Sequence, residues 1–184
     1  MTVLIREVVT GLAVRDDAAG DGRILYGPLI PWNVEAKVLD RGRLVVETFQ
    51  RGALADADPT RVPLTVRHPT DAQQLPIGVG VELEERADAA WGAWRVSKTA
   101  AGDEVLALAA DAVPLGLSIG FREVEGGSRW SPDRRRVVRT RARVDHVAVV
   151  RTPAYVGAGV VGVREAVAVA EQRALFLAML RGHG

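Results

Sequence analysis

The chain has 184 residues, of which 48% are hydrophobic and 26% are charged, and it contains no cysteine. The length favours one domain, and the missing cysteine excludes disulfides, thiolate catalysis and cysteine-based zinc sites. The formal net charge of +1 gives no overall field for nucleic acid, and no apolar run approaches the roughly 18 residues of a membrane span. We therefore expect a cytosolic protein that binds neither nucleic acid nor membrane.

Most of the sequence reads as short apolar runs separated by turn residues, which predicts strands. In the first half of the chain we expect them at residues 3–14, 23–30, 34–39, 43–48, 62–68, 77–85 and 90–97. The last two are expected to pair as a hairpin, and Asp40-Arg41-Gly42 is expected to form a tight turn.

The second half begins with a helix, predicted at residues 99–112, followed by a strand at 115–123, a turn at 126–135 and a long strand at 137–150. Many short strands with few helices predict a mainly β fold with peripheral helices, either a barrel or a sandwich. Helices do not alternate with strands, so a parallel α/β fold is not expected.

A second helix is predicted from Arg164 to Leu180, because this segment lacks glycine and proline and is rich in alanine and leucine. We divide the chain into a β domain at residues 1–162 and a helical tail at 163–184. The helix either packs on the β domain, which we favour, or serves as a dimer contact or a detachable tail.

Seven arginines lie between Arg129 and Arg143. They predict either an anionic partner or a solvated strand face. We favour the solvated face, because Arg139, Arg141 and Arg143 recur at every second residue, as on one side of a strand. No aromatic residue is interleaved with Arg139, Arg141 and Arg143 to stack bases.

The chain has only three histidines, His68, His146 and His183, and the last lies in a terminal segment where we expect no function. Alternation along the predicted strands puts His68 on the face of Leu64 and Val66. It also puts His146 on the apolar face of Ala142 and Val144, and Asp145 on the opposite one. Both histidines are then either core residues with hydrogen-bond partners or members of one polar site. Their spacing does not suit a metal, so no metal is expected.

Ser118 lies between Gly116 and Gly120 on one face of its predicted strand, opposite an apolar face. Small neighbours leave its hydroxyl open to a substrate backbone; the alternative is a small-residue packing groove. The spacing also matches the Gly-x-Ser-x-Gly elbow of α/β-hydrolases, but that elbow joins a strand to a helix. Residues 121–127 (FREVEGG) continue as strand and turn, so we reject an esterase of that fold.

Several short segments, in this order, resemble the prohead (capsid maturation) proteases of tailed phages, whose fold is similar to that of the herpesvirus maturation proteases. The segments are residues 22–27 (GRILYG), 49–54 (FQRGAL), 66–69 (VRHP) with 76–78 (PIG), 117–121 (LSIGF), and 147–150 (VAVV) with Pro153-Ala154. The resemblance implies a closed or partly closed antiparallel β-barrel of the herpesvirus-protease type.

The same resemblance implies a serine endopeptidase with Ser118 as nucleophile and His68 as general base. The third position is occupied by His146, as in the herpesvirus pattern, whereas phage members commonly have an acidic residue there. Asp145 is therefore the alternative third member. For the oxyanion, the candidates are backbone amides near Gly116 and Leu117 or in the turn that begins at Arg151, whose side chain would hold a bridging water.

The implied substrate is the scaffolding protein, or the scaffolding segment of the major capsid protein, cleaved inside assembling proheads in the host cytoplasm. Members of the family also trim themselves. No cofactor is expected, and a homodimer is left open. The competing hypothesis is a catalytically inactive capsid-assembly or scaffolding protein that keeps the protease fold.

Overall fold

A computed structural model of the chain describes residues 4–8, 12–15, 21–69, 74–113 and 115–151, with the backbone alone for residues 4–8, 15 and 151. These residues form twelve strands, one α-helix and one short 3-10 turn at Pro59–Arg61. In chain order the elements are β1 (Leu4–Val8), β2 (Ala13–Arg15), β3 (Ile24–Pro31), β4 (Ala36–Asp40), β5 (Arg43–Phe49), β6 (Pro63–Val66), β7 (Gly78–Glu85), β8 (Ala89–Val96), α1 (Ala100–Ala110), β9 (Leu115–Glu123), β10 (Ser128–Trp130), β11 (Arg136–Arg139) and β12 (Ala142–Arg151).

The strands form two sheets. The large sheet has the order β1-β9-β12-β6-β7-β8-β3-β2, and the small one β10-β11-β5-β4. The large sheet curls until β3 approaches β1 and β9, but no hydrogen-bonded ladder joins β3 to either strand. The prediction of a mainly β fold is confirmed, whereas a closed barrel is not found in the described part of the chain.

The pairing is not purely antiparallel either. β6 pairs with β12 in parallel, and β11 pairs with β5 in parallel. Parallel neighbours need a long connection between them, and here the elements from β7 to β11, including α1, separate β6 from β12 along the chain. This parallel pair places the end of β6 beside β12, which pairs with β9 on its other side.

The core fills the inside of the curled sheet and rests on side chains with almost no solvent exposure. The largest of the apolar ones are Trp94, Phe121, Leu25, Leu29, Leu64, Leu117, Ile119, Val62, Val96 and Val137. Helix α1 covers part of this core through Val105, Leu106 and Ala109, and the Thr99 hydroxyl caps it by accepting the Gly102 N–H at 3.1 Å. The predicted helix is therefore confirmed, with its ends one to two residues inside the predicted range.

The apolar run at residues 3–14, predicted as one strand, contributes two. β1 pairs with β9 at one end of the large sheet, and β2 pairs with β3 at the other end. An apolar pattern predicts an extended conformation but carries no information on the neighbouring strand, so the single-strand prediction was wrong.

The long strand predicted at residues 137–150 is likewise two strands in different sheets, β11 and β12. Between them the amides of Thr140 and Arg141 both donate to the Gly127 carbonyl, at 2.9 and 3.1 Å. These two bonds draw the backbone toward the β9–β10 connection and let it pass from the small sheet to the large one.

The same break explains why Arg139 does not lie on a solvated face as predicted. Its guanidinium has no exposed surface and forms ion pairs with Asp40 at 2.6 Å, Glu47 at 2.7 Å and also Glu123. Burial alone would lower the pKa of Arg139, but Glu47, Asp40 and Glu123 outweigh it and raise the pKa. We call these four residues the Arg139 cluster. Arg141 and Arg143, by contrast, are exposed as predicted.

Other predicted features, among them the C-terminal helix at residues 164–180, His183 and Pro153-Ala154, lie outside the described residues. Within the described ranges, no helix is long and apolar enough to cross a membrane.

Candidate active site

Three elements of the large sheet supply the candidate site. Ser118 lies in the middle of β9, where it pairs with Glu7 of β1 on one side and Ala148 of β12 on the other. A central strand paired on both sides is held along its whole length, so the position of the Ser118 side chain is set by two ladders.

His146 reaches the Ser118 face of the sheet because of a β-bulge in β12. Val144 pairs with Phe121 and His146 pairs with Gly120, which leaves Asp145 as an extra residue opposite no partner. One extra residue reverses the alternation of side chains beyond it. The prediction that His146 shares a face with Val144 is therefore wrong: Val144 joins the core, and His146 lies on the face of Gly120.

Gly120 makes room for the His146 ring. A Cβ atom at position 120 would lie 2.1 Å from Cε1 of His146 and within 2.7 Å of both ring nitrogens. We expected this glycine to leave Ser118 open to a substrate backbone, but the imidazole of His146 occupies that space.

His68 follows β6 instead of lying within it. β6 ends at Val66, and Arg67 has a φ of 65°, in the left-handed region. The Arg67 amide donates to the Val149 carbonyl at 3.1 Å, and the Thr65 hydroxyl donates to the Arg67 carbonyl at 2.8 Å. These bonds hold a turn that directs His68 toward β9 and β12, so the strand predicted at residues 62–68 ends two residues earlier than expected.

The three side chains form a continuous hydrogen-bonded chain. Nε2 of His68 lies 2.6 Å from Oγ of Ser118, and Nδ1 of His68 lies 2.8 Å from Nε2 of His146. Both distances suit strong hydrogen bonds. The arrangement uses both nitrogens of His68, one toward a hydroxyl and one toward a second imidazole.

Burial sets the protonation of this chain. Ser118 has no exposed surface and His146 is 7% exposed. Burial, and after it the charge of His146, lowers the pKa of His68 to about 4. Burial also lowers the pKa of His146, against a smaller raising effect of Asp145. Both imidazoles are therefore neutral at pH 7, and a neutral His68 has one lone pair with which to accept a proton.

Asp145, the alternative third member, lies beyond His146 and not beside His68. Its Oδ2 is 3.6 Å from Nδ1 of His146, a distance too long for a hydrogen bond. Its Oδ1 pairs with Arg122 at 2.7 Å. Arg122 was not among the predicted site residues, although alternation along β9 puts it on the same face as Ser118 and Gly120.

The remaining predicted residues lie close by in the same two strands. Gly116 pairs with Val150 of β12, and Leu117 pairs with Val149 of β12 and with Val8 of β1. Arg151 ends β12, and its side chain lies outside the described part of the structure. Their contribution to an oxyanion site stays a prediction. Among the described residues, no group of three or more His, Asp or Glu side chains is arranged to hold a metal ion.

Comparison with known proteins bears on the fold. No protein-family model and no curated protein matches the chain. Among solved structures, it is similar to the bacteriophage T4 capsid assembly protease gp21, with a TM-score of 0.55 and 12% sequence identity over 83% of this chain and 98% of that one. At this identity the similarity concerns the backbone, so the conclusion is that the chain has a fold like that of a phage capsid assembly protease.

Proposed function

We propose that the protein is a serine endopeptidase in which Ser118 is the nucleophile, His68 the general base and His146 the third member. The observation that carries the proposal is the hydrogen-bonded chain from Ser118 Oγ through both nitrogens of His68 to His146. An activated serine requires a base within hydrogen-bond reach and a third group that orients the base. The two distances of 2.6 and 2.8 Å meet both requirements.

The reaction follows from this order of contacts. Ser118 Oγ attacks the scissile carbonyl carbon as its proton passes to Nε2 of His68, and the C–N bond breaks as that proton moves to the leaving amine. This leaves an acyl group on Ser118. A water molecule then attacks the acyl carbon and gives its proton to Nε2 of His68, which returns it to Ser118 Oγ as the acid product leaves.

A neutral His146 orients His68 but gives less charge stabilisation to the imidazolium than a carboxylate in contact with it would. We therefore propose a slow enzyme, with much of its rate due to proximity and to the oxyanion site. Slow turnover suits a protease that is enclosed with its substrate.

The proposed substrate is the scaffolding protein or the scaffolding segment of the major capsid protein. The support is the fold shared with a capsid assembly protease, together with the ordered motifs at residues 22–160 that resemble prohead proteases. On this proposal the protein acts inside assembling capsids, contacts the capsid or scaffolding protein, and trims itself. The proposal leaves homodimer formation open.

One observation favours the alternative, an inactive assembly protein that retains the fold. Ser118 has no surface exposed to solvent, whereas a nucleophile has to meet its substrate. Labelling with a small reactive probe separates the two functions because it reports on the serine itself and needs no knowledge of the substrate.

We expect a fluorophosphonate probe to label Ser118 in the wild type and to fail in Ser118→Ala and His68→Ala, because only a deprotonated hydroxyl attacks phosphorus readily. His146→Ala should label more slowly, and the ratio measures the contribution of the third member. Peptide mapping locates the label, and Ser97→Ala, at an exposed serine, is the matched control.

Self-trimming seen as a mass loss in wild type but not in Ser118→Ala would give a second readout. A wild type that is not labelled at Ser118 would favour the inactive assembly protein.

The labelling rate should depend little on pH between about 8 and about 6 and should reach half its maximum near pH 4. The reason is that His68 has a folded-state pKa of about 4 against an ordinary value of 6.5, so it remains an acceptor far into the acid range. The unfolded chain binds the proton first, so the free energy of unfolding decreases as pH falls from 6.5 toward 4. Circular dichroism at each pH therefore checks that the chain is folded. A midpoint near 6.5 would contradict the burial of His68.

A further inference from the structure

His68 can work as a base only when the proton of the neutral His146 ring is on one particular nitrogen. A neutral imidazole has one N–H and one lone pair. If His146 carries its proton on Nδ1, its Nε2 accepts from His68 Nδ1–H, and Nε2 of His68 is free to accept the Ser118 proton. If His146 carries the proton on Nε2, each bond in the chain reverses. His68 then donates to Ser118 and has no lone pair toward it.

The hydrogen bonds among Ser118, His68 and His146 do not distinguish these two states, because both satisfy the same 2.6 and 2.8 Å contacts. The distinction has to come from the far side of His146. There, Oδ2 of Asp145 lies 3.6 Å from Nδ1 of His146. A carboxylate attracts an N–H dipole and repels a lone pair, so its charge favours the proton on Nδ1.

Asp145 is itself held in place. Its second oxygen, Oδ1, pairs with Arg122 at 2.7 Å, and the two side chains are 30% and 35% exposed. Arg122 lies on β9, four residues after Ser118 and on the same face. The β-bulge inserts Asp145 between the core residue Val144 and the site residue His146. One strand therefore supplies both the nucleophile and the arginine that fixes the carboxylate.

We infer that Asp145, anchored by Arg122, is a positioning residue that selects the active tautomer of the His68–His146 pair. The inference rests on the proposed function for its effect on rate, but the tautomer itself is a property of the folded chain. Asp145 touches neither the serine nor the base, and it acts through His146 only.

The test measures the tautomer and the rate separately. In uniformly ¹⁵N-labelled protein near pH 7.5, ring-nitrogen spectra distinguish a protonated Nδ1 from a protonated Nε2, and His146→Ala assigns the signals. We expect His146 of the wild type to be protonated on Nδ1. Asp145→Asn, whose amide can turn its NH₂ toward the ring, should populate the Nε2–H form and slow fluorophosphonate labelling by at least about tenfold. Asp145→Glu, which keeps the negative charge, should retain most of the Nδ1–H form of His146 and most of the labelling rate.

The matched control is Glu125→Gln, which removes the same charge at an exposed position after β9 and should change neither readout. Asp145→Ser provides a second uncharged variant in case asparagine destabilises the bulge. The inference is overturned if His146 of the wild type is protonated on Nε2, or if both uncharged variants keep its tautomer and labelling rate. If His146 responds as expected while Ser118 of the wild type is never labelled, the inference stands and the proposed protease activity fails.

Discussion

Gly120→Ala is expected to slow the labelling of Ser118 by about 10²-fold, because a displacement of about 1 Å in a catalytic group has an effect of this size. The new Cβ would lie 2.1 Å from Cε1 of His146, so the ring has to move by more than an ångström to reach an ordinary contact distance. Moving the ring breaks the 2.8 Å bond that orients His68. The measurement is the second-order rate constant of fluorophosphonate labelling at pH 7.5.

Gly92→Ala is the matched control. Its Cβ would lie 2.2 Å from the ring of Trp94, a similar collision in β8. It should destabilise the fold without slowing the labelling of the folded fraction.

A second test places Gly120→Ala in the His146→Ala background. The three nearest atoms to the added Cβ all belong to His146, so the stability cost of about 1–3 kcal/mol expected for overpacking should largely disappear there. An equal cost in both backgrounds would contradict the steric explanation.

Arg139→Met should lower the free energy of unfolding by about 3–5 kcal/mol, the usual effect of removing one partner from a buried ion pair. The guanidinium has no exposed surface, and Asp40 and Glu47 are 4% and 2% exposed. Without Arg139 these two buried carboxylates would lose the guanidinium that they share, and Asp40 would keep the longer contact with Arg41 at 3.8 Å. Urea unfolding followed by tryptophan fluorescence measures the change.

Arg141→Met is the control for Arg139→Met, because Arg141 pairs with Asp56 on the surface and should contribute within about 1 kcal/mol. Adding Asp40→Asn and Glu47→Gln to Arg139→Met should recover part of the loss, since the two buried negative charges that Arg139 balanced are then gone. Equal effects of Arg139→Met and Arg141→Met would show that the Arg139 cluster is solvated, contrary to the structure.

Local signals in the sequence predicted the local structure well. The strand at 115–123 has the predicted ends, because alternation is regular there. The β7–β8 hairpin also forms where apolar alternation and a short polar connection predicted it. In each case the information lies within about twenty residues of chain, which is the range over which periodicity and turn chemistry act.

Features that depend on distant partners were missed. Arg139 looked like a surface residue because Asp40, which neutralises it, lies 99 residues away in sequence. The runs at residues 3–14 and 137–150 each split between two sheet positions that no local pattern specifies. A period-two pattern also cannot contain a bulge, which is why His146 was placed on the face of Val144 when it lies on the face of Gly120.

For the candidate site, the sequence singled out Ser118, His68 and His146, which lie together in the structure, but it did not predict how they are arranged. Alternation put Ser118 between two glycines on one face, but the reason for Gly120 is the ring of His146 and not an open path for substrate. The catalytic roles of Ser118, His68 and His146 remain predictions until labelling tests them.

The bulge in β12 also bears on how small genetic changes alter the protein. Removing codon 145 would leave Val144 opposite Phe121 and His146 opposite Gly120, as they are now. The strand would lose a carboxylate and keep its register. Removing codon 147 would instead turn the following side chains over to the opposite faces. The extra residue thus adds an acidic group beside His146 without changing the register of the flanking residues, and an alignment with a chain that lacks the bulge would need a single gap at position 145.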